Sequence, residues 1–356
     1  MSVIFFTIVI FALFGVLTLG KVTFTSKHLY LAFCFGCMIL LHTFVNPDYS
    51  DNFSYRFGYN EIGHMDFVKV LHTNPPSLKA EVGYRLFNKI LYYFSNEWLF
   101  GLFAISVLML SGYYLVVKKY SNFYAISVLL IMIGPFMQST FVLRQHLAMG
   151  IILFTYPFII ERKVIPYLLI CFIAILFHQT AAIFIPVYFL YHLSGSKFTV
   201  VSVVCFLSLY FYMSFFLASA GEIAMETAGY GSSYFEIDEE KGTNLKTAFL
   251  LSFLFVIRLF ILKKKFFEEG ISRLLSILLT LGLIFSIAGT GFIGTNRMIM
   301  YFTSVQFLII PNTFCYLKDR KLSYAGCYSY FFVLLYFFIK NADNFDGIWF
   351  FSPEFK

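Results

Sequence analysis

Long apolar runs separated by short polar gaps dominate the sequence from end to end. A helix that crosses a bilayer needs about 20 mostly apolar residues, within a range of about 17 to 25. We therefore predict an all-α, polytopic transmembrane helix bundle of about 12 spans. The predicted spans are residues 3–19, 28–45, 98–117, 123–137, 142–160, 164–177, 181–192, 198–218, 247–262, 274–293, 298–317 and 322–339.

The stretch from residue 164 to residue 192 is short for two full crossings, so a re-entrant helix pair is the alternative there. No hydrophilic stretch is long enough to form a separate soluble domain. We therefore predict that residues 1–356 form a single integral membrane domain.

Composition supports lipid as the main solvent. Apolar residues make up 60% of the chain and charged residues only 13%, whereas a soluble domain has about 25% charged residues. The six cysteines all fall inside apolar runs, where a thiol behaves as a small hydrophobic group. We predict neither a disulfide framework nor a metal site, and no cofactor.

The positions of the charges indicate an orientation. Cytoplasmic loops near a membrane are enriched in Lys and Arg, and alternate gaps in this chain hold most of these residues. The other gaps hold most of the acids, so we predict that they face outward, together with both termini. Because the net charge of +7 is spread over these gaps and not clustered on one face, we predict no nucleic-acid partner. The predicted cytoplasmic cations are Lys21, Lys27, Lys118, Lys119, Arg162, Lys163, Lys197, Lys263, Lys264, Lys265, Arg273, Lys318, Arg320 and Lys321.

Two predicted outward loops, residues 46–97 and 219–246, are long enough to carry function. In the first loop, residues 81–95 have apolar side chains at helical spacing, which predicts an amphipathic helix on the outer surface. The second loop contains an acidic cluster at residues 236–240. A solvated connector is the simpler interpretation of that cluster.

Ionisable residues at the edges of spans are expensive to insert and are therefore functional hypotheses. Arg144, His178 and Arg297 all fall at predicted outward helix ends. For each of them alone, an interfacial anchor or a helix-packing contact is an equal alternative. Together they predict an outward cavity that gathers cations around an anion, for which the planar Arg fork suits phosphate oxygens. Three residues of the long loop could join them: Arg56, His64 and Arg85.

Arg258 is a different case. It lies one helical turn before the predicted cytoplasmic lysines 263–265. A long arginine side chain near a helix end can reach the membrane interface. We therefore predict that Arg258 extends to the interface and has no further role.

Several short motifs occur in order along the chain. They are Tyr-Arg-Phe-Gly at 55–58 with Gly-His-Met-Asp-Phe at 63–67, Glu-Val-Gly-Tyr at 81–84, Leu-Arg-Gln-His-Leu-Ala at 143–148 and Phe-His-Gln-Thr-Ala at 177–181, with Arg297 and Tyr301 as a weaker fifth. In order and context they resemble the EpsG family of bacterial exopolysaccharide polymerases, which are related in role to the Wzy polymerases. That family places an acid soon after the first arginine, a position that either Glu61 or Asp66 could match here.

The resemblance implies an enzyme of the bacterial cytoplasmic membrane that joins oligosaccharide repeat units carried on undecaprenyl pyrophosphate. Such a reaction needs a cationic cradle for the leaving group and a base for the acceptor hydroxyl. We assign pyrophosphate or glycan binding to Arg56, Arg144, Gln145 and Arg297. His178 is the first candidate for the base, and Glu81 and Asp66 are its rivals. Family resemblance also implies a chain-length regulator and a flippase as partners.

Two other functions stay open at this point. A ligase or another polyprenyl-dependent glycosyltransferase would use the same lipid donor, and the sequence barely separates it from a polymerase. A flippase or transporter for the lipid-linked sugar would be expected to carry polar groups near the bilayer midplane and repeated halves. The ionisable groups in this sequence gather at one face, and it has no obvious internal repeat.

Overall fold

The computed structural model describes residues 2–17, 24–49, 51–193, 197, 198, 201, 202, 204, 208, 242–288, 293–341 and 348. These residues form helices joined by turns and contain no strand, which confirms the all-α prediction. The acidic cluster at 236–240, most of the loop 219–246 and most of the predicted span 198–218 lie outside this part of the chain.

Within the described residues, four helices are long and apolar enough to cross a membrane: Trp98–Tyr120, Leu245–Phe267, Ile271–Ala288 and Arg320–Lys340. Three shorter apolar helices accompany them, Val3–Gly15, Tyr124–Ser139 and Val164–Phe177. The chain is therefore a multi-pass membrane protein. The larger count of about 12 spans, which followed from apolar length alone, stays a prediction. One reason is that the predicted spans 142–160 and 298–317 are each divided into two helices.

The structure divides into two compact units, residues 1–182 with 318–356, and residues 183–317. The first unit contains the helices α1 (Ser2–Leu17), α2 (Phe24–Thr43), α3 (Asn52–His64), α4 (Phe67–His72), α5 (Val82–Phe94), α6 (Trp98–Tyr120), α7 (Tyr124–Ile131), α8 (Leu143–Leu153), α9 (Tyr156–Ile160), α10 (Val164–Phe177) and α16 (Arg320–Lys340). The second contains α11 (Ile185–His192), α12 (Gly242–Leu262), α13 (Ile271–Ala288), α14 (Ile293–Thr303) and α15 (Gln306–Phe314). A 3₁₀ helix, Gln179–Phe184, follows α10.

Helix α6 is central to the first unit, where it packs against both α2 and α8. The approach to α8 is close because glycines face each other. A Cβ atom on Gly112 would lie 2.0 Å from the carbonyl oxygen of Gly150, a distance that no side chain can adopt. Small residues of this kind let helix backbones approach each other inside a membrane.

The chain kinks between α7 and α8. A π-helical turn, Met132–Phe136, contains Pro135, and Gly134 departs from helical geometry at φ −112° and ψ −105°. Proline has no N–H group to donate and its ring clashes with the preceding turn, so helices bend at such positions. After this bend and a short turn, Met137–Ser139, α8 begins at Leu143, which places Arg144 in its first turn.

The long loop between α2 and α6 is compact and helical. Arg85 holds it together, with its Nε donating to the carbonyl oxygen of Val70 at 2.8 Å and its Nη1 donating to Asn74 Oδ1 at 2.8 Å. The same guanidinium also donates to the carbonyl oxygens of Leu71 and Ala80. Arg85 therefore has a structural role, and the idea that it joins a group of anion-binding cations is wrong.

Helix α5 confirms the predicted helix in this loop and shows which way its faces point. Tyr84 and Asn88 are buried in the protein, whereas Ile90 and Phe94 are exposed. The apolar face thus points away from the protein and the more polar face points inward. This arrangement suits a helix that lies at the level of the lipid headgroups.

In the second unit, α12 packs against α13 and α15, and α13 packs against α14. Arg258 of α12 is completely buried there. Its guanidinium donates to the hydroxyl oxygens of Ser276 at 3.0 Å and Thr313 at 2.8 Å, and to the carbonyl oxygen of Ser272 at 2.8 Å. The prediction that Arg258 extends to the interface is therefore wrong, because neighbouring helices supply the partners that its charge requires.

Candidate functional site

The carboxylate of Glu81 joins three separate parts of the first unit. One oxygen, Oε1, accepts a hydrogen bond from Nδ1 of His178 at 3.0 Å and from the backbone N–H of Gln179 at 3.2 Å. The other oxygen, Oε2, forms an ion pair with Nη1 of Arg144. We refer to Glu81, Arg144 and His178 as the Glu81 cluster.

Backbone geometry explains why Glu81 reaches across to these partners. Glu81 occupies the N-cap position of α5, with φ −63° and ψ 152°, but its side chain makes no capping hydrogen bond. The carboxylate is therefore available to residues that are 63 and 97 positions away in the sequence. Because the side chain of Glu81 does not cap α5, the helix does not depend on this carboxylate, and the contacts with Arg144 and His178 do not follow from the local sequence.

Gly83 brings α5 and α10 together at this point. A Cβ atom on Gly83 would lie 2.6 Å from the carbonyl oxygen of Leu176, so only glycine allows the observed approach. Helix α10 then ends, and His178 adopts an extended conformation with φ −159° and ψ 119°. That change of direction turns the imidazole of His178 toward Glu81.

The cluster is largely removed from solvent. The exposed fractions of the side chains are 11% for Glu81, 9% for His178 and 19% for Arg144. Burial alone would raise the pKa of the Glu81 carboxyl, but the hydrogen bond from His178 and the charge of Arg144 outweigh burial and lower this pKa to about 2. Glu81 is therefore ionised at neutral pH.

The ionised carboxylate determines the tautomer of His178. A carboxylate can only accept hydrogen bonds, so Nδ1 of His178 carries the proton that it donates. In the neutral imidazole the lone pair then resides on Nε2. This Nε2 atom is buried and has no hydrogen-bond partner among the described residues, and the same is true of Nε of Arg144.

Aromatic side chains pack beside Arg144. Its guanidinium lies over the ring of Tyr55, with 5.9 Å between Cζ and the ring centroid. The ring of Tyr55 in turn lies 6.0 Å from that of Tyr84. The side chain of Tyr84 is buried. Sequence reasoning missed both tyrosines, although each lies in a motif that it had singled out.

Histidine 146 is a further residue that sequence reasoning passed over. It lies two positions after Arg144 in the same helix and is fully buried. Its Nδ1 faces the carbonyl oxygen of Val142 at 3.0 Å, and its buried Nε2 lacks a partner among the described residues. His42 is also buried, and its Nδ1 lies 2.7 Å from Ser106 Oγ. The first unit thus contains several buried polar atoms that a ligand or water could satisfy.

Two candidates from the long loop lie apart from the Glu81 cluster. Arg56 forms an ion pair with Asp48 at 2.8 Å and lies over the ring of Phe57. Asp66 is exposed and caps α4 by accepting the backbone N–H of Lys69 at 2.8 Å, a bond that lowers the pKa of this carboxyl. Neither contacts the cluster within the described structure.

The remaining candidates have different surroundings. Gln145 follows Arg144 in the first turn of α8 and is completely buried. Arg297 lies on α14 in the second unit and is partly buried. Its role in substrate binding stays a prediction. Within the described residues, no group of three or more His, Cys, Asp or Glu side chains is arranged to hold a metal ion.

Apolar spanning helices and a buried Glu–His–Arg cluster define a multi-pass membrane protein with a polar site inside one helical unit. The model of the EpsG family matches residues 27–350, a range that includes the whole cluster. The chain therefore belongs to the EpsG family, the family of Wzy-like polysaccharide polymerases, which confirms the resemblance found in the motifs. No curated protein and no solved structure matches the chain.

Proposed function

We propose that this protein polymerises oligosaccharide repeat units carried on undecaprenyl pyrophosphate, at the outer face of the bacterial cytoplasmic membrane. Family membership supports a role in polysaccharide biosynthesis. The observation that carries the proposal is the Glu81 cluster, in which a histidine base, an orienting carboxylate and an arginine share one buried place. A glycosyl transfer from a lipid pyrophosphate needs these chemical groups.

In the proposed reaction, Nε2 of His178 accepts the proton of the acceptor hydroxyl group. The acceptor oxygen forms a bond to the anomeric carbon of the donor sugar, and the bond between that carbon and the diphosphate oxygen breaks. The diphosphate leaves with the electron pair, still attached to its lipid. Glu81 holds the Nδ1–H of His178 and stabilises the imidazolium that forms, as the acid of a catalytic triad does.

Arg144 is the proposed partner of the leaving group. Its Nη1 is engaged by Glu81, while its buried Nε still has a hydrogen to donate. Arginine keeps its charge at physiological pH, and its bonds to phosphate oxygens are stronger than those between neutral groups. Negative charge develops on the diphosphate as the sugar is transferred, so this contact strengthens in the transition state. Gln145, Arg56 and Arg297 stay candidates for further contacts with the substrate.

The geometry favours His178 over both rivals as the base. Glu81, with a pKa of about 2, holds protons weakly at neutral pH and is therefore a poor acceptor for them. Asp66 is exposed, and its carboxylate accepts the backbone N–H of Lys69 in the first turn of α4. We therefore propose Glu81 as a positioning residue and assign Asp66 a structural role in the loop.

The decisive experiment is reconstitution of the purified protein with lipid-linked repeat units. We expect polymer to grow without a second protein, and His178→Ala to lower the rate about 10²- to 10⁴-fold, the usual contribution of general base catalysis. His72→Ala is the control, because His72 is an exposed histidine of the same unit, at the last residue of α4. A wild-type rate in His178→Ala would refute the assignment.

The same assay separates the other functions. Transfer of finished glycan to a different acceptor, without growth of the chain, would indicate a ligase. Movement of the lipid-linked sugar across the bilayer, without bond formation, would indicate a transporter. A chain-length regulator and a flippase are proposed partners in the cell, so their omission should change product length or supply but should not abolish bond formation.

A further inference from the structure

The first unit contains a cavity of about 390 Å³ at the end of α6. It is lined by residues near the start of α2, in the last turns of α6 and at the junction between α8 and α9. Its wall is partly basic and partly apolar. The lining residues are Lys27, His28, Lys118 and Lys119 on the basic side, and Leu115, Val116, Tyr120, Leu153, Phe154 and Pro157 on the other side.

The cavity carries an excess of positive charge. Lys27 donates to the carbonyl oxygen of Lys118 at 2.9 Å, so these two ammonium groups belong to neighbouring helix ends. None of Lys27, Lys118 and Lys119 forms an ion pair with an acid in the described part of the chain. The nearby carboxylate of Glu161 is paired with Lys163 at 2.8 Å. Cations that converge in this way lower their mutual repulsion by binding an anion.

The apolar part of the wall indicates what kind of anion fits. Both leucines line the cavity, where Leu153 is buried and Leu115 is 43% exposed. Because α6 is a spanning helix, an exposed leucine on its surface faces hydrocarbon. A free phosphate would leave these apolar walls unfilled, but an acyl or prenyl chain would cover them.

This cavity is distinct from the Glu81 cluster. Arg144 lies in the first turn of α8 and Leu153 is its last residue. With a rise of 1.5 Å per residue, the two positions are about 14 Å apart along the helix axis. A ligand headgroup held by the lysines therefore does not occupy the proposed catalytic site.

We propose that the cavity binds a membrane lipid with an anionic phosphate headgroup, which lies against Lys27, Lys118 and Lys119 while its chain lies along Leu115, Leu153 and Phe154. Basic pockets between spanning helices bind lipid phosphates in this manner, because local charge and apolar area act together. An anionic glycerophospholipid and a polyprenyl phosphate share this chemistry. The experiment below separates the two.

Binding is measured on the full-length protein, purified in a neutral detergent and freed of lipid. Native mass spectrometry reports the number of bound lipids, and the melting temperature reports their effect on stability. The probes are phosphatidylglycerol, phosphatidylcholine, undecaprenyl phosphate and inorganic pyrophosphate. We expect phosphatidylglycerol to bind and to raise the melting temperature, and phosphatidylcholine and inorganic pyrophosphate to have no comparable effect. Tighter binding of undecaprenyl phosphate than of phosphatidylglycerol would identify a polyprenyl lipid as the occupant.

Two kinds of variant test the location. Lys118→Gln with Lys119→Gln should weaken binding of the anionic lipid about 25-fold, from a loss of about fivefold for each cation. Leu115→Trp replaces a partly exposed lining residue with a bulkier side chain and keeps all charges, so it should also weaken binding. The matched control is Lys318→Gln with Lys321→Gln, which removes two exposed lysines that do not line the cavity.

The outcomes are exclusive. Weaker binding in the Lys118 and Lys119 double variant and in Leu115→Trp, with unchanged binding in the control, supports the cavity. Equal weakening in the double variant and its control shows attraction to overall charge and overturns the proposal. Unchanged binding in Leu115→Trp overturns it too. If the double variant fails to fold, Leu115→Trp alone decides. Because this readout is binding, the result is independent of polymerase activity.

Discussion

Single residues in this protein take their roles from their partners more than from their chemical type. Glu81 and Asp66 are both carboxylates of the same loop, yet one is buried between His178 and Arg144 and the other caps an exposed helix. Arginines differ in the same way. Arg144 keeps a donor without a partner in the described structure, whereas the guanidinium of Arg85 donates to three backbone carbonyl oxygens and to the side chain of Asn74.

Replacement of the charge at position 81 tests the positioning role. Glu81→Gln keeps the shape of the side chain but offers Nδ1 of His178 an amide, so the tautomer is no longer determined. We expect the turnover rate to fall about 10²-fold or more, while KM changes little. The pH profile of the remaining activity should also shift, because the imidazolium loses its counter-charge.

The control for this variant is Glu97→Gln. Glu97 is an exposed carboxylate at the N-cap of α6 and lies outside the cluster. It should polymerise at the wild-type rate. A Glu81→Gln protein with normal turnover and an unchanged pH profile would show that Glu81 has only a structural role.

The low pKa of Glu81 also predicts how stability depends on pH. A carboxyl group whose pKa is lower in the folded protein stabilises the fold above its unfolded pKa, and this contribution is lost as the pH falls. For Glu81 the loss should begin near the ordinary glutamate pKa of 4.5 and continue down to a pH of about 2. The full contribution to the free energy of unfolding is of the order of 3 kcal/mol.

Melting temperatures of the detergent-solubilised protein between pH 6 and pH 3 measure this effect. The wild-type protein should lose stability more steeply than Glu81→Gln over that range, since the variant has no carboxyl group to protonate at this position. Parallel curves for the two proteins would contradict the proposed ionisation of Glu81.

At the scale of elements, the site depends on where helices come into contact. The polar groups lie on α5, on α8 and just after α10, and none of these elements alone positions a neighbour. The close approach at Gly83 and the bend near Pro135 are therefore part of the site, although neither residue touches His178. The sequence contains both the glycine and the proline, but it does not show which helices each of them brings together or bends.

Gly83→Ala tests the contact between α5 and α10. The added methyl group would meet the backbone of Leu176, so the two helices must separate and the Glu81 to His178 hydrogen bond should lengthen. We expect a loss of about 1–3 kcal/mol in stability, as overpacking usually produces, together with a lower turnover rate. Gly36→Ala in α2 is the matched control, because a Cβ atom there meets nothing within 4 Å. Equal behaviour of the two variants would exclude this role for Gly83.

At the scale of the whole molecule, the two ends of the helices in the first unit differ in character. One end carries the long loop and the Glu81 cluster, and the other carries the basic cavity beside Lys118 and Lys119. This separation agrees with the alternation of charge in the sequence, which predicts that the cavity end is cytoplasmic.

Cysteine labelling in intact cells tests that orientation. Tyr93 is 85% exposed on α5, so Tyr93→Cys should react with a membrane-impermeant maleimide from outside. Lys321→Cys, at the exposed start of α16, should react only after the cells are permeabilised. The unmodified protein provides the background from its native thiols. The reverse pattern would invert the topology and place the proposed chemistry on the cytoplasmic side.

The sequence by itself determined that this is a helical membrane protein, that its motifs are those of the EpsG family, and that Arg144 and His178 are candidate site residues. These conclusions follow from local properties, because the length of an apolar segment and the residues of a short motif do not depend on distant parts of the chain. Only the tertiary structure decided that Glu81 joins Arg144 and His178 from 63 and 97 positions away, that Arg85 and Arg258 are structural, and that lysines from two helices line one cavity. Tertiary packing brings such residues together, and a local sequence pattern does not identify the residue that will pack against it.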